Sequence, residues 1–149
     1  MIEFPLPEGL TRLLATKAWP SASGPSMTAQ QFNPSIPADR VQRFASDEST
    51  ICLQPPPFRT IAQARAAGRA GDFWERFGSL DQIVPEKALI IGDFGLGSDS
   101  PIILDFAGDA SNPPVLRLRW GPDQRNEWIQ GARDFNEFAE MLGLAEGVA

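Results

Sequence analysis

The chain has no histidine and no tyrosine, and its 149 residues include a single cysteine. Without histidine it lacks the commonest general base, the usual activator of a nucleophilic serine or cysteine, and the commonest metal ligand. Cys52 alone excludes an internal disulfide and is typical of a reducing compartment. We therefore expect a protein that is not an enzyme and that binds no metal and no cofactor.

Long apolar runs are also absent, so we expect no membrane span. The N-terminal residues MIEFPLPEG show no basic region followed by an apolar one, which predicts no signal peptide and a cytoplasmic protein. Hydrophobic residues make up 42% of the chain and charged residues 21%, as in ordinary globular domains. The length suits one domain, residues 1–149, with a core of its own.

Negative charge is concentrated in the second half of the chain. Residues 1–80 carry seven acids against eight bases, whereas residues 81–149 carry twelve acids against five bases. The second half is therefore net −7 and leaves the chain at −6. Such a field disfavours nucleic acid and favours a basic partner, although an acidic balance also serves solubility alone.

Residues 88–106 are predicted to form two strands joined by a glycine-rich loop. Residues 88–91 and 102–106 are short apolar runs with β-branched side chains, as in buried strands. In the structural interpretation, loop glycines take positive φ, and Asp and Ser side chains bond the backbone. Proline fixes φ where the second strand begins. The motif residues are Gly92, Gly95, Gly97, Ser98, Pro101 and Asp105.

Other interpretations of this loop require chemistry that the chain lacks. The glycine spacing fits neither a dinucleotide fingerprint nor a P-loop. Asp93, Asp99 and Asp105 are spaced six and six apart, unlike any calcium loop. Asp93-Phe94-Gly95 spells the kinase magnesium motif, which also needs a His-Arg-Asp loop that this chain cannot supply. Asp93 and Asp99 as general acid and base are the remaining catalytic hypothesis.

The stretch GDFGLGSDSPIILDF, residues 92–106, resembles the signature of the SUKH superfamily. The resemblance continues in PPPFRTI at 55–61, in PPVLRLRW at 113–120, and in the Trp-containing strand and Phe-x-x-Phe helix that follow. It covers roughly residues 51–144. Phe106 departs from the pattern, because tyrosine is expected to be commoner there. Residues 1–50 carry no resemblance.

This superfamily includes fungal Smi/Knr cell-wall-synthesis regulators and many bacterial immunity proteins. The resemblance implies an immunity protein that neutralises a bacterial toxin by direct binding, and the toxin is expected to present a basic surface. The alternative is a regulatory or scaffolding protein without a toxin partner. Neither function requires catalysis, since occlusion needs only a surface that complements its partner.

Caps and apolar periodicity predict four helices. The first spans residues 7–18, the second runs from Thr60 to residue 67, and two more begin after Asp72 and Asp134. Gly68 and Gly143 are expected to end the second and the last. Their apolar faces comprise Leu10, Leu13 and Leu14; Ile61 and Ala64; Phe73, Trp74 and Phe77; and Phe135, Phe138, Ala139 and Leu142.

Strands are predicted at residues 49–53, 88–91, 102–106, 115–120 and 126–130. Their grouping predicts an α+β fold with a mainly antiparallel sheet of at least four strands flanked by helices, like the SUKH fold. Residues 1–50 are expected to add an N-terminal helix and an irregular segment to the core at 51–144. Cys52 is expected in the core, and the three prolines at 55–57 are expected to connect a strand to a helix.

The partner-binding residues are predicted from turns and aromatic side chains. Carboxylates in turns are expected to be exposed, and a tryptophan beside them supplies the anchor of a binding surface, unless both tryptophans are core. Arg117 and Arg119 alternate with apolar residues and either pair with carboxylates of neighbouring strands, such as Asp105, or bind a phosphate. The predicted binding residues are Asp93, Asp99, Asp109, Asp123, Trp120 and Trp128.

Overall fold

The computed structural model describes residues 5–19, 36–68, 73–94, 100–108, 111–122 and 125–144. Within these ranges five α-helices flank one six-stranded antiparallel sheet, which confirms the predicted α+β class. Two short 3₁₀ turns, Leu80–Gln82 and Pro85–Lys87, precede the central strand. The helices are α1 (Glu8–Ala15), α2 (Ala38–Phe44), α3 (Ile61–Ala67), α4 (Phe73–Phe77) and α5 (Phe135–Leu142); the strands are β1 (Cys52–Leu53), β2 (Arg59–Thr60), β3 (Ala88–Asp93), β4 (Ile102–Asp105), β5 (Val115–Arg119) and β6 (Glu127–Ala132).

Strands β3 to β6 form the expected antiparallel meander. The other edge of β3 is covered by two short strands in succession, since Cys52 pairs with Asp93 and Arg59 with Ile90. The prolines at 55–57 separate these two strands, because proline has no N–H for the ladder. They therefore join strand to strand, and β2 then leads directly into α3.

Side chains alternate between two packed faces of the sheet. On β4, Ile102 and Leu104 join the larger core with α1, α2 and α5, whereas Ile103 joins a smaller core with α3 and α4. We call these the first face and the second face. Helix α2 was not predicted, yet its Val41 and Phe44 are buried in the larger core. Residues 1–50 thus contain a second packed helix besides the one expected.

Local capping signals place several helix ends as predicted. Thr60 and Gln63 form a complete capping box at the start of α3, which ends at Gly68 with φ 72°. Asp134 caps α5 through the Glu137 N–H at 2.8 Å, but the Glu137 carboxylate accepts from the Arg133 N–H instead of returning to Asp134. Helix α1 ends at Ala15, earlier than expected. The predicted cap Asp72 lies outside the described residues.

Cys52 corrects one prediction about the core. The strand expected at residues 49–53 is reduced to Cys52–Leu53, and within it Leu53 is buried while Cys52 is only half-buried. Burial and the charge of Asp93 raise the pKa of the Cys52 thiol. None of the helices in the described part of the chain is long and apolar enough to cross a membrane.

Candidate partner-binding surface

The base of the glycine loop is closed by Asp93. Its Oδ1 accepts hydrogen bonds from the backbone N–H groups of Phe94, at 2.6 Å, and Ser100, at 3.3 Å. Thr50 adds a hydroxyl bond to the Phe94 carbonyl oxygen at 2.5 Å. Asp93 is half-buried, so the structure uses this carboxylate to join the two ends of the loop. Of the other predicted residues, Gly95, Gly97, Ser98, Asp99, Asp109 and Asp123 lie outside the described residues.

Gly92 is required for space rather than for positive φ. A Cβ at this position would lie 2.6 Å from the Cys52 carbonyl oxygen on the neighbouring strand. Pro101 is buried, and its carbonyl accepts the Leu118 N–H at 3.1 Å. Gly92 and Pro101 therefore allow neighbouring strands to approach closely at this end of the sheet.

Asp93 and Asp105, the two described carboxylates of the three considered for a metal site, lie at opposite ends of β3. Asp105 pairs with Ala88 at the beginning of β3, whereas Asp93 lies at its other end. Asp105 accepts the Ala107 N–H at 3.0 Å, as an Asp at a turn commonly does. Among the described residues, no group of three or more Cys, Asp or Glu side chains is arranged to hold a metal ion.

The two arginines of β5 have partners inside the chain. Arg117 lies on the first face and binds both carboxylate oxygens of Asp47, at 2.7 and 3.3 Å. Arg119 pairs with Glu127 on the adjacent strand. Both arginines therefore pair with carboxylates, as one of the two interpretations predicted, but the partners are Asp47 and Glu127 and not Asp105. The guanidinium of Arg117 also lies 5.5 Å from the centre of the Phe94 ring.

Asp47 and Glu48, which are adjacent in sequence and both sense the charge of Arg117, have pKa values shifted in opposite directions. Burial raises the pKa of the Asp47 carboxyl, but hydrogen bonds and the charge of Arg117 outweigh burial and hold that pKa below its usual value. Burial and the charge of Asp47 raise the pKa of Glu48. The raised pKa of Cys52 keeps its thiol protonated and weakly nucleophilic at neutral pH. Of these groups, Asp47 is the one held by an ion pair, its contact with Arg117.

Trp128 and Trp120 occupy different environments on the second face. Trp128 is half-buried, and its indole N–H donates to the Gly78 carbonyl at 2.8 Å. Trp120 is 38% exposed and, with Val84, is one of the two large exposed hydrophobic side chains in the described residues. Neither tryptophan is fully buried, and only Trp120 presents a large apolar surface to solvent.

Trp120 continues a layer of aromatic rings from α4. Its ring centroid lies 5.2 Å from that of Phe77 and 6.5 Å from that of Phe73. The guanidinium of Arg76 lies over the Phe77 ring at 5.0 Å. We call these four side chains, Phe73, Arg76, Phe77 and Trp120, the aromatic patch.

The apolar face predicted for α4, formed by Phe73, Trp74 and Phe77, is expected to pack in the core. In the structure Trp74 is buried in the smaller core, whereas Phe73 and Phe77 are half-buried. Phe73 packs against that core, and the rings of both phenylalanines also contact Trp120. The helical spacing of these residues matches that of a core face, so spacing alone does not reveal the patch. The feature of the sequence that points to the patch is Trp120, a large apolar residue at the very end of an alternating strand.

Comparison of the chain with protein-family models, with curated proteins and with solved structures finds no match in any of the three. The aromatic patch is therefore assigned as the candidate site from its own geometry.

Proposed function

We propose that this chain is a non-catalytic protein-binding module, and specifically an immunity protein that neutralises a bacterial toxin by direct contact. The observation that carries the binding role is the exposed Trp120, whose ring lies tilted at 37° against that of Phe77, together with the Arg76 guanidinium over the Phe77 ring. Tryptophan and arginine are enriched among residues that dominate binding energy at protein interfaces. The toxin assignment comes from the resemblance of residues 92–106 to the SUKH signature.

The aromatic patch has the physical properties of an interface centre. Its rings carry large apolar area with few rotatable bonds, so that little side-chain entropy is lost when a partner covers them. Burial of a side chain such as Trp120 contributes about 2 kcal/mol or more when it fills a partner pocket. In this proposal the partner supplies an apolar pocket that receives the Trp120 ring.

The net charge of −7 in residues 81–149 supports a partner with a basic surface. Toxins that act on nucleic acids require such surfaces to hold phosphates. The protein acts in the cytoplasm in this proposal, which the single Cys52 supports. Chemistry has no assigned role, since the one described carboxylate of the catalytic hypothesis, Asp93, holds the loop backbone.

The test uses the product of the gene adjacent to the one that encodes this chain in its host. That product is expressed alone and together with the chain, and growth and complex formation are measured. Growth inhibition that the wild-type chain relieves, with a stable one-to-one complex, is the expected result. Trp120→Ala is expected to weaken the complex at least about thirty-fold, which corresponds to about 2 kcal/mol.

Val84→Ala is the matched control, because Val84 is 40% exposed and lies outside the aromatic patch. It is expected to relieve growth inhibition as the wild type does. If Trp120→Ala and Val84→Ala bind equally well, the patch is not the interface. Binding to a product that does not inhibit growth argues against immunity and for a regulatory or scaffolding role.

A further inference from the structure

Helix α4 is held at its C-terminal end by side chains from the β5–β6 hairpin. A five-residue helix is too short to be stable in isolation, and the last carbonyls of any helix have no partner within it. The Phe77 carbonyl accepts a hydrogen bond from the Asn126 amide Nδ2 at 2.9 Å. The next carbonyl, of Gly78, accepts the Trp128 indole N–H at 2.8 Å. These two bonds join the C-terminal end of α4 to the hairpin.

The other end of the same amide holds the hairpin turn. Asn126 Oδ1 accepts the backbone N–H of Gly121 at 3.3 Å, and Gly121 directly follows Trp120. The Arg125 carbonyl occupies the space that a Cβ on Gly121 would need, so the turn is closed tightly at this point. The buried Asn126 side chain therefore connects Phe77 directly to Gly121, the residue that follows Trp120.

Further bonds fix Asn126 itself. Its backbone carbonyl accepts the Ser79 hydroxyl at 2.6 Å, and the adjoining strand is held by the Gln82 side chain, which accepts the Trp128 N–H at 2.8 Å. Asn126 is 6% exposed, and both its amide donor and its amide acceptor are satisfied. A buried polar network of this kind rigidifies a structure, because breaking one bond leaves a desolvated group without a partner.

We propose that Asn126 is a positioning residue for the aromatic patch, which it organises before any partner arrives by holding α4 and the β5–β6 turn together. This rests on the proposed function of the patch for its biological purpose, but the arrangement is testable without a partner. An interface that is already ordered loses less conformational entropy on binding. Asn126 needs no contact with the partner for this effect.

The experiment follows the four tryptophans by fluorine NMR after incorporation of 5-fluorotryptophan. Trp120→Phe assigns the Trp120 resonance by its loss. In Asn126→Ala, that resonance is expected to move toward free 5-fluorotryptophan and to show a larger H₂O/D₂O shift as the ring leaves Phe77. The resonance of Trp19, which is buried on the first face, is expected to stay in place.

Leu13→Ala is the matched control, since Leu13 is buried in α1 on the first face and its truncation lowers stability away from the patch. Asn126→Asp keeps the side-chain shape and the acceptor for Gly121, but it replaces the donor to Phe77 with a carboxylate oxygen and adds a buried negative charge, so it breaks the bond to Phe77 without leaving a cavity. A native Trp120 resonance in a folded Asn126 variant overturns the proposal. So does an equal displacement in Leu13→Ala, which would make the effect one of global stability. Neither result depends on whether a toxin is bound, so this proposal and the proposed function fail separately.

Discussion

Arg117 and Asp47 form a two-point ion pair in which one partner is buried and the other is half exposed. The Arg117 side chain is 6% exposed and the Asp47 side chain 51%, and 70 residues of sequence separate them. The Arg117 Nε–H has no acceptor among the described residues. The Asp47 carboxylate is therefore the main group that offsets the cost of burying the Arg117 charge. Removal of either partner therefore has an unequal effect.

Asp47→Asn is expected to destabilise the protein by roughly 3 kcal/mol, because it leaves a buried guanidinium without its counter-charge. Arg117→Met is expected to change the free energy of unfolding by about 1 kcal/mol or less, because Met packs against Phe94 and leaves Asp47 to water. Urea unfolding of both variants measures the difference. Equal losses would show that the pair itself, rather than the buried charge, stabilises the fold.

Stability is also expected to respond to pH through the neighbouring carboxyls in opposite directions. The pKa of Glu48 is raised in the folded state, so the unfolded chain releases this proton first and stability falls as pH rises above about 4. The pKa of Asp47 is lowered, so its contribution is complete above about pH 4 and is lost as pH falls through the lower folded-state pKa.

Glu48→Gln is therefore expected to raise the melting temperature at pH 7 and to leave it nearly unchanged at about pH 3, where the wild-type carboxyl is protonated in both states. Thermal unfolding between these pH values measures the effect. Glu86→Gln, at an exposed position, is the control and is expected to change little. A stabilisation that persists at low pH would indicate a packing effect instead of charge.

Gly92→Ala is expected to lower the melting temperature by several degrees, because the added Cβ meets the Cys52 carbonyl and costs about 1–3 kcal/mol. Gly108→Ala is the matched control, since nothing lies within 4 Å of a Cβ there and no positive φ is required. Differential scanning calorimetry compares the two. If both variants melt together, β1 yields to the added methyl and its contact with β3 is not tight.

Electrostatic steering is expected once the partner is in hand. Raising the salt concentration from about 50 to 500 mM is expected to slow association markedly, because screening shortens the range of the −7 charge on residues 81–149. Replacing Asp99 and Asp123 by Asn is expected to slow association more than it speeds dissociation. Stopped-flow measurement of the association and dissociation rates tests this prediction. An association rate that changes neither with salt nor with the two substitutions would indicate that the excess of acidic residues serves only solubility.

Features set by near neighbours were readable from the sequence. The Thr60 cap, the αL glycines at 68 and 143 and the apolar stripe of α5 depend on residues within about one helical turn of each other. The alternation along residues 115–120 likewise placed Arg117 and Trp120 on opposite faces. These rules hold wherever the segment lies, because helix and strand geometry repeats along the chain.

Only the tertiary structure decided which distant groups meet. Asp47 reaches Arg117 and Asn126 reaches Phe77 across 70 and 49 residues, and no local pattern encodes either bond. The same holds for Gly92, whose need for glycine comes from the Cys52 carbonyl, and for Phe77, whose spacing indicates core although its ring meets Trp120. Hydrogen bonds and steric contacts act over about 3 Å, so they depend on how whole strands are placed, whereas caps and alternation depend only on the adjoining residues.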